Sequence, residues 1–415
     1  MKKLLVFLLL GSSVAYGQRG FTIDETVYGP GKYAAKTLPA SKWIKNMDAI
    51  SNLDSTYQNL VKREAKNNWQ PVALASVTEL QTALKKILPN EEIKLRNFPT
   101  NYNWIDSQNI QFVFEGKNTS YLVNYDSKQK EAKINTSLPK DRAGEEYSHS
   151  NKQTAYLVGN NIEIIKADGS KIKVTQDTVD GIVNGSSVVH RNEFGISKGM
   201  WWSPDDQKLL YYKKNETMVS KYPLPQWDTR VATIKDIRYP MAGMKSEEVT
   251  LNIYDTETGN YVQLQTGEPK EQYLTIVTWD PSGKYVYVGV LNRGQDHLKL
   301  NKYDAATGSL VQTLFEESSN TWVEPQVSLA FIPNNPDLFL YQTDKDGFNQ
   351  LYLYNTQGKL IKKLGYNNAI VTDFKGFDEK GKKGYYIASI NQGMERHLFE
   401  VELKSGKTVQ LTKTN

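Results

Sequence analysis

One carboxylate and one serine in the stretch Val189 to Asp206 (VHRNEFGISKGMWWSPDD) could do chemistry. Glu193 stands alone among amide, basic and aromatic neighbours. A carboxylate so placed can accept charge-assisted hydrogen bonds from a free α-amine, worth about 1.5–3 kcal/mol. The plainer alternative is a surface carboxylate in a loop salt bridge. Ser197 lies in Gly195-Ile196-Ser197-Lys198-Gly199, which formally matches the nucleophile elbow G-x-S-x-G. That motif needs a strand before the serine and a helix after it. Here Met200-Trp201-Trp202-Ser203-Pro204 follows, a β-run ending at a proline, so Ser197 is set aside as a nucleophile. The four histidines, His149, His190, His297 and His397, form no pair at helical metal-binding spacing, and the chain has no cysteine. No zinc signature or other metal site is predicted, and no glycine-rich phosphate loop is present, so no cofactor is expected.

The elements that must position Glu193 repeat along the chain. Each unit begins with an aromatic, a turn and a β-run, as in Trp202-Ser203-Pro204-Asp205 and Trp279-Asp280-Pro281-Ser282-Gly283. An alternating strand ending in a polar hairpin follows, with glycines at 259, 308, 358 and 406, spaced by 49, 50 and 48 residues. Fixed periods of this size with about four short strands each mark propeller blades, whose faces are buried only by stacking on neighbours. Six blades are recognisable between Asn101 and Thr412, and the N-terminal segment could add a seventh. The blade that starts near Gly181 is interrupted twice, by the Val189–Met200 loop and by Asn215 to Ser246.

Before residue 101 the texture differs. Residues 1–17 pair two lysines with an apolar run from Leu4 to Leu10 and a small-residue cleavage site, the pattern of a signal peptide. Residues 18–100 form an N-terminal segment. Within it Asp48–Ala65 and Thr78–Leu88 space apolar residues as helices do, although elaborated strands of an early blade would fit as well. Thr78 followed by Gln81 suggests a capping box, and Pro89 stops the run. The formal charge of +5 falls to +3 without Lys2 and Lys3, and the lysines are interleaved with acids. Such a surface excludes nucleic acid as the expected partner. No later stretch approaches the roughly 20 apolar residues of a membrane helix. An exported protein, periplasmic or secreted, is predicted.

The chain resembles the propeller region of the dipeptidyl peptidase IV group of prolyl oligopeptidase-type serine peptidases. The resemblance rests on His190-Arg191-Asn192-Glu193-Phe194-Gly195, Tyr239-Pro240-Met241-Ala242-Gly243, Leu291-Asn292-Arg293-Gly294-Gln295 and Asp346-Gly347-Phe348-Asn349-Gln350-Leu351. It implies an all-β fold over residues 101–415, an eight-bladed propeller incomplete at its C-terminal side, which in the family caps an α/β-hydrolase domain. That hydrolase, with its catalytic triad, is expected to be absent from this chain. The resemblance further implies that a propeller glutamate holds the substrate's N-terminal amine, and Glu193 inherits that position. Dipeptidyl members carry two adjacent glutamates, whereas Glu193 is flanked by Asn192 and Phe194, which leans towards the prolyl tripeptidyl members. No residue inherits the family's substrate-binding arginine by motif; Arg191 is only a neighbour. The expected partners are peptides with a free N-terminus and a separate hydrolase chain. The alternative is a standalone, non-enzymatic peptide- or protein-binding propeller.

Overall fold

The computed structural model describes residues 20–27, 37–190, 193–325, 327–366 and 369–413. They fall into two compact units, one within Met1–Phe112 and Tyr125–Ala132, the other within Val113–Asn124 and Lys133–Asn415. The expected signal peptide lies outside the described residues.

In the first unit the strands Lys42–Trp43, Ala49–Leu53, Asn59–Glu64 and Val72–Ser76 form one antiparallel sheet. Asp48–Ala65, which in sequence fits a helix or elaborated strands of an early blade, is therefore a hairpin of strands. Its turn is built by Asp54, whose carboxylate accepts the N–H groups of Gln58 and Asn59, and by Tyr57 in the left-handed region at φ 59°. An aspartate that bonds backbone a few residues on competes directly with helix. The second expected helix forms at Val77–Ile87, but its cap sits two residues earlier than the sequence suggests. Ser76 accepts from the Glu79 N–H and Glu79 returns a bond to the Ser76 N–H. Gln81 instead accepts from the Leu95 N–H.

The whole described chain contains seven sheets of blade pattern, here called blades one to seven. Blade two, residues 102–138, is the sheet through which the division between the units passes. The ring is expected from sequence to be of the eight-bladed type but incomplete, with six blades recognisable and a seventh possible; seven are found among the described residues, and blade seven runs from Ile370 to Gln410.

Blades three to seven lie in the second unit, and there strand alternation explains the stacking. In the strand Lys208–Asn215, Leu210 and Tyr212 enter a cluster with Leu274, Val286 and Val288 of blade five. Leu209 and Tyr211 of the same strand enter a cluster with Ala155, Ile162 and Ile164 of blade three. Both faces are thus buried, at roughly 1.5–3 kcal/mol for each large side chain. The same arrangement pairs blade five with six through Tyr287 and Phe339, and six with seven through Leu340 and Phe399. The repeated glycines 259, 308, 358 and 406 all close hairpins in the left-handed region, at φ 74°, 73°, 85° and 79°. Gly308 has a further constraint, because a Cβ there would stand 2.2 Å from the Gln263 carbonyl oxygen of the preceding blade.

Candidate functional site

Blade four carries both interruptions read from the sequence. Its first strand, at one edge of the sheet, is broken into two pieces, Ile182–Asn184 and Met200–Trp202, which pair with the same neighbour, Lys208–Asn215. Tyr212 sits opposite the break and ties it shut: its carbonyl accepts the Gly185 N–H at 2.7 Å and its N–H donates to the Gly199 carbonyl at 3.0 Å. A Cβ on Gly199 would lie 2.3 Å from the Ser186 carbonyl oxygen, so only glycine closes this neck. Residues 186–190 and 193–198 therefore belong to a segment pinched out of the middle of a strand. The second interruption, between Asn215 and Glu248, holds a separate hairpin of Lys221–Gln226 and Thr233–Arg238.

Two side chains pin the loop to blade five. His190 is 2% exposed and has φ 49°. Its Nε2 accepts the Leu274 N–H at 3.0 Å, so the ring is neutral with its proton on Nδ1. Burial pushes the imidazole pKa down to about 3. Tyr212 donates its hydroxyl proton to the Leu274 carbonyl at 2.7 Å, so blade four engages both backbone polar groups of Leu274. Phe194, also left-handed at φ 60°, is buried against Tyr273 at a centroid distance of 5.1 Å. The far side of the loop is tethered by an ion pair of Lys198 with Glu146 of blade three.

Glu193 lies between these anchors. Its N–H donates to the His190 carbonyl at 3.1 Å and its side chain is exposed. Among the described residues its carboxylate has no hydrogen-bond or ion-pair partner. The arrangement suits the capture of a cation from solution, because the backbone is held and the carboxylate is exposed. Ser197 is exposed on irregular backbone and is followed by the strand Met200–Trp202, not by a helix. The glycines that flank it are accounted for by a turn at Gly195, φ 64°, and by the neck at Gly199.

The fold agrees with the comparisons. Residues 100–415 match the family described as the dipeptidyl peptidase IV (DPP IV) N-terminal region. The chain belongs to that family. A probable dipeptidyl-aminopeptidase B of Talaromyces marneffei is 25% identical over 295 residues, covering 64% of this chain and 33% of the relative. A dipeptidyl peptidase 4 of Arthroderma otae is 26% identical over 303 residues, covering 68% of this chain and 38% of the relative. Among solved structures, a putative dipeptidyl aminopeptidase IV from Bacteroides ovatus aligns with a TM-score of 0.78 at 29% identity, covering 90% of this chain and 53% of that one. Porphyromonas gingivalis dipeptidyl peptidase 4 shares the fold at a TM-score of 0.76 and 20% identity, over 96% of this chain and 56% of that one. The chain thus spans about a third of the length of these curated relatives.

The described part of the turn carries one carboxylate, that of Glu193. The residue after Glu193 is the inward-facing anchor Phe194. Asn192 and Arg191 lie outside the described residues. Sequence reasoning missed Tyr273 and Glu247, which lie far along the chain from the loop they support. No helix among the described residues is long and apolar enough to cross a membrane.

Proposed function

We propose that this chain is the substrate-gating propeller portion of an exported, prolyl-specific di- or tripeptidyl serine exopeptidase, in which Glu193 accepts the free α-amine of the peptide. The reading is carried by the placement of Glu193: exposed, unpartnered among the described residues, and set between two buried anchors. A carboxylate held this way forms an ion pair without first having to order its own backbone, which lowers the cost of binding. In this reading the acyl transfer belongs to an α/β-hydrolase domain or partner chain, and the propeller selects peptides by their free end. The single carboxylate favours tripeptidyl over dipeptidyl release. The basic and apolar pattern of residues 1–17 supports export.

Titration by NMR or calorimetry with a proline-containing peptide and its N-acetylated form tests the reading. The free form should bind more tightly by roughly ten- to hundredfold, as expected for one charge-assisted contact of about 1.5–3 kcal/mol. Glu193→Gln keeps shape and hydrogen bonding but loses the charge, and should abolish the preference. Equal binding of the two peptides by the wild type would make Glu193 an ordinary surface carboxylate.

A further inference from the structure

Glu247 stands where the second interruption of blade four rejoins the sheet, immediately before the strand Glu248–Asp255. Its side chain is 7% exposed. A carboxylate is costly to bury unless donors compensate it. One oxygen, Oε1, accepts the backbone N–H of His190 and lies 3.6 Å from the His190 Nδ1. With Nε2 occupied by the Leu274 N–H, the proton on Nδ1 sits on the side of this carboxylate. The other oxygen is 4.0 Å from the Lys214 ammonium, itself buried and paired with Glu216 at 3.0 Å.

We propose that Glu247 is a positioning residue for Glu193, acting through His190. The His190 backbone is held at both of its polar groups, with its N–H on Glu247 and its carbonyl accepting the Glu193 N–H at 3.1 Å. His190 also occupies the left-handed region at φ 49°, which is uncommon for a residue other than glycine, and its contacts with Glu247 and Leu274 hold it there. Removing the acceptor lets this residue relax towards ordinary backbone and swings Glu193 with it. Glu247 is buried, so its influence on a ligand passes through the loop. The proposal rests on the amine-acceptor reading of Glu193, but part of its test does not.

The test uses the full chain and three variants, Glu247→Ala, Glu247→Gln and Glu247→Asp. Hydrogen exchange of the Glu193 and Leu274 amides is measured together with binding of a free and an N-acetylated peptide. In E247A both amides should exchange at least tenfold faster, and the preference for the free amine should fall towards unity. Binding of the acetylated peptide should stay unchanged. E247Q keeps an acceptor for the His190 N–H and should retain most of the preference, which a loss of general stability would not restore. If E247A yields no folded protein, E247D carries the test, since it keeps the charge and withdraws the acceptor by one methylene. Its exchange should be faster and its preference weaker. Wild-type exchange and wild-type preference in E247A, or in E247D where that variant is used, overturn the proposal. A wild type with no preference for the free amine refutes the Glu193 reading alone, and exchange at the Glu193 amide then still decides the role of Glu247.

Discussion

Acidification should loosen the Glu193 loop through His190, and the size of the effect follows from the structure. The imidazole is almost fully buried and accepts the Leu274 N–H through the lone pair that a proton would need. Burial holds its pKa at about 3, against 6.5 for an unperturbed histidine, and the nearby Lys214 adds to the depression. The folded state therefore binds fewer protons than the unfolded chain between these values. The stabilisation is complete above pH 6.5 and is lost as the pH falls through that window. Each pH unit is worth about 1.4 kcal/mol, so by pH 5 the loss is about 2 kcal/mol. Urea unfolding of the full chain at pH 7.5 and pH 5.0 measures it, with His190→Gln as the reference. The variant cannot be protonated there, yet it offers an amide oxygen to Leu274. Carboxylates whose pKa values are lowered, such as Asp177 and Glu115, lose their contributions below the usual carboxylate range in both proteins and cancel. Wild type should lose about 2 kcal/mol more than the variant over this interval. Parallel pH dependence in the two proteins would refute the buried neutral histidine.

Two further outcomes are expected. Gly308→Ala should cost roughly 3 kcal/mol, combining left-handed strain with a clash against the Gln263 carbonyl, while Gly259→Ala, at a similar φ but with only the Tyr254 hydroxyl in ordinary contact at 3.9 Å, should cost only about 1 kcal/mol; thermal melts of the two variants compare them, and equal losses would remove the inter-blade contact from the explanation. Glu317 is buried, and burial raises its pKa while Tyr341 and Thr343 donate to one of its oxygens. Its raised folded pKa means that stability present below 4.5 is lost as the pH rises through the folded value. Glu317→Gln, which keeps the acceptor, should therefore be the more stable protein at pH 7.5 and lose that advantage near pH 4, as read from unfolding curves.

The blades were legible because their signals are local. The hairpin at Gly308 is specified within five residues: Asp304 bonds the N–H groups of Ala306 and Thr307, and glycine supplies the positive φ. The helix at Val77–Ile87 was legible for the same reason, although two cap candidates two residues apart left its start ambiguous. Asp48–Ala65 was not, because its apolar spacing fits either a helix or a hairpin, and the choice fell to pairing with Lys42–Trp43 and Val72–Ser76. Glu193 could be picked out as a lone carboxylate in an irregular stretch, and the family resemblance lent it a role. What the sequence could not reveal is how that carboxylate is held. The contact of His190 with Glu247 spans 57 residues and that with Leu274 spans 84. No periodicity links positions so far apart, and a buried glutamate reads in sequence like any other acid. Local turn chemistry therefore determined where the loop leaves the strand, while only the stacking of blade four on blade five decided that His190 is neutral, that Phe194 turns inward, and that Glu193 is left facing solvent.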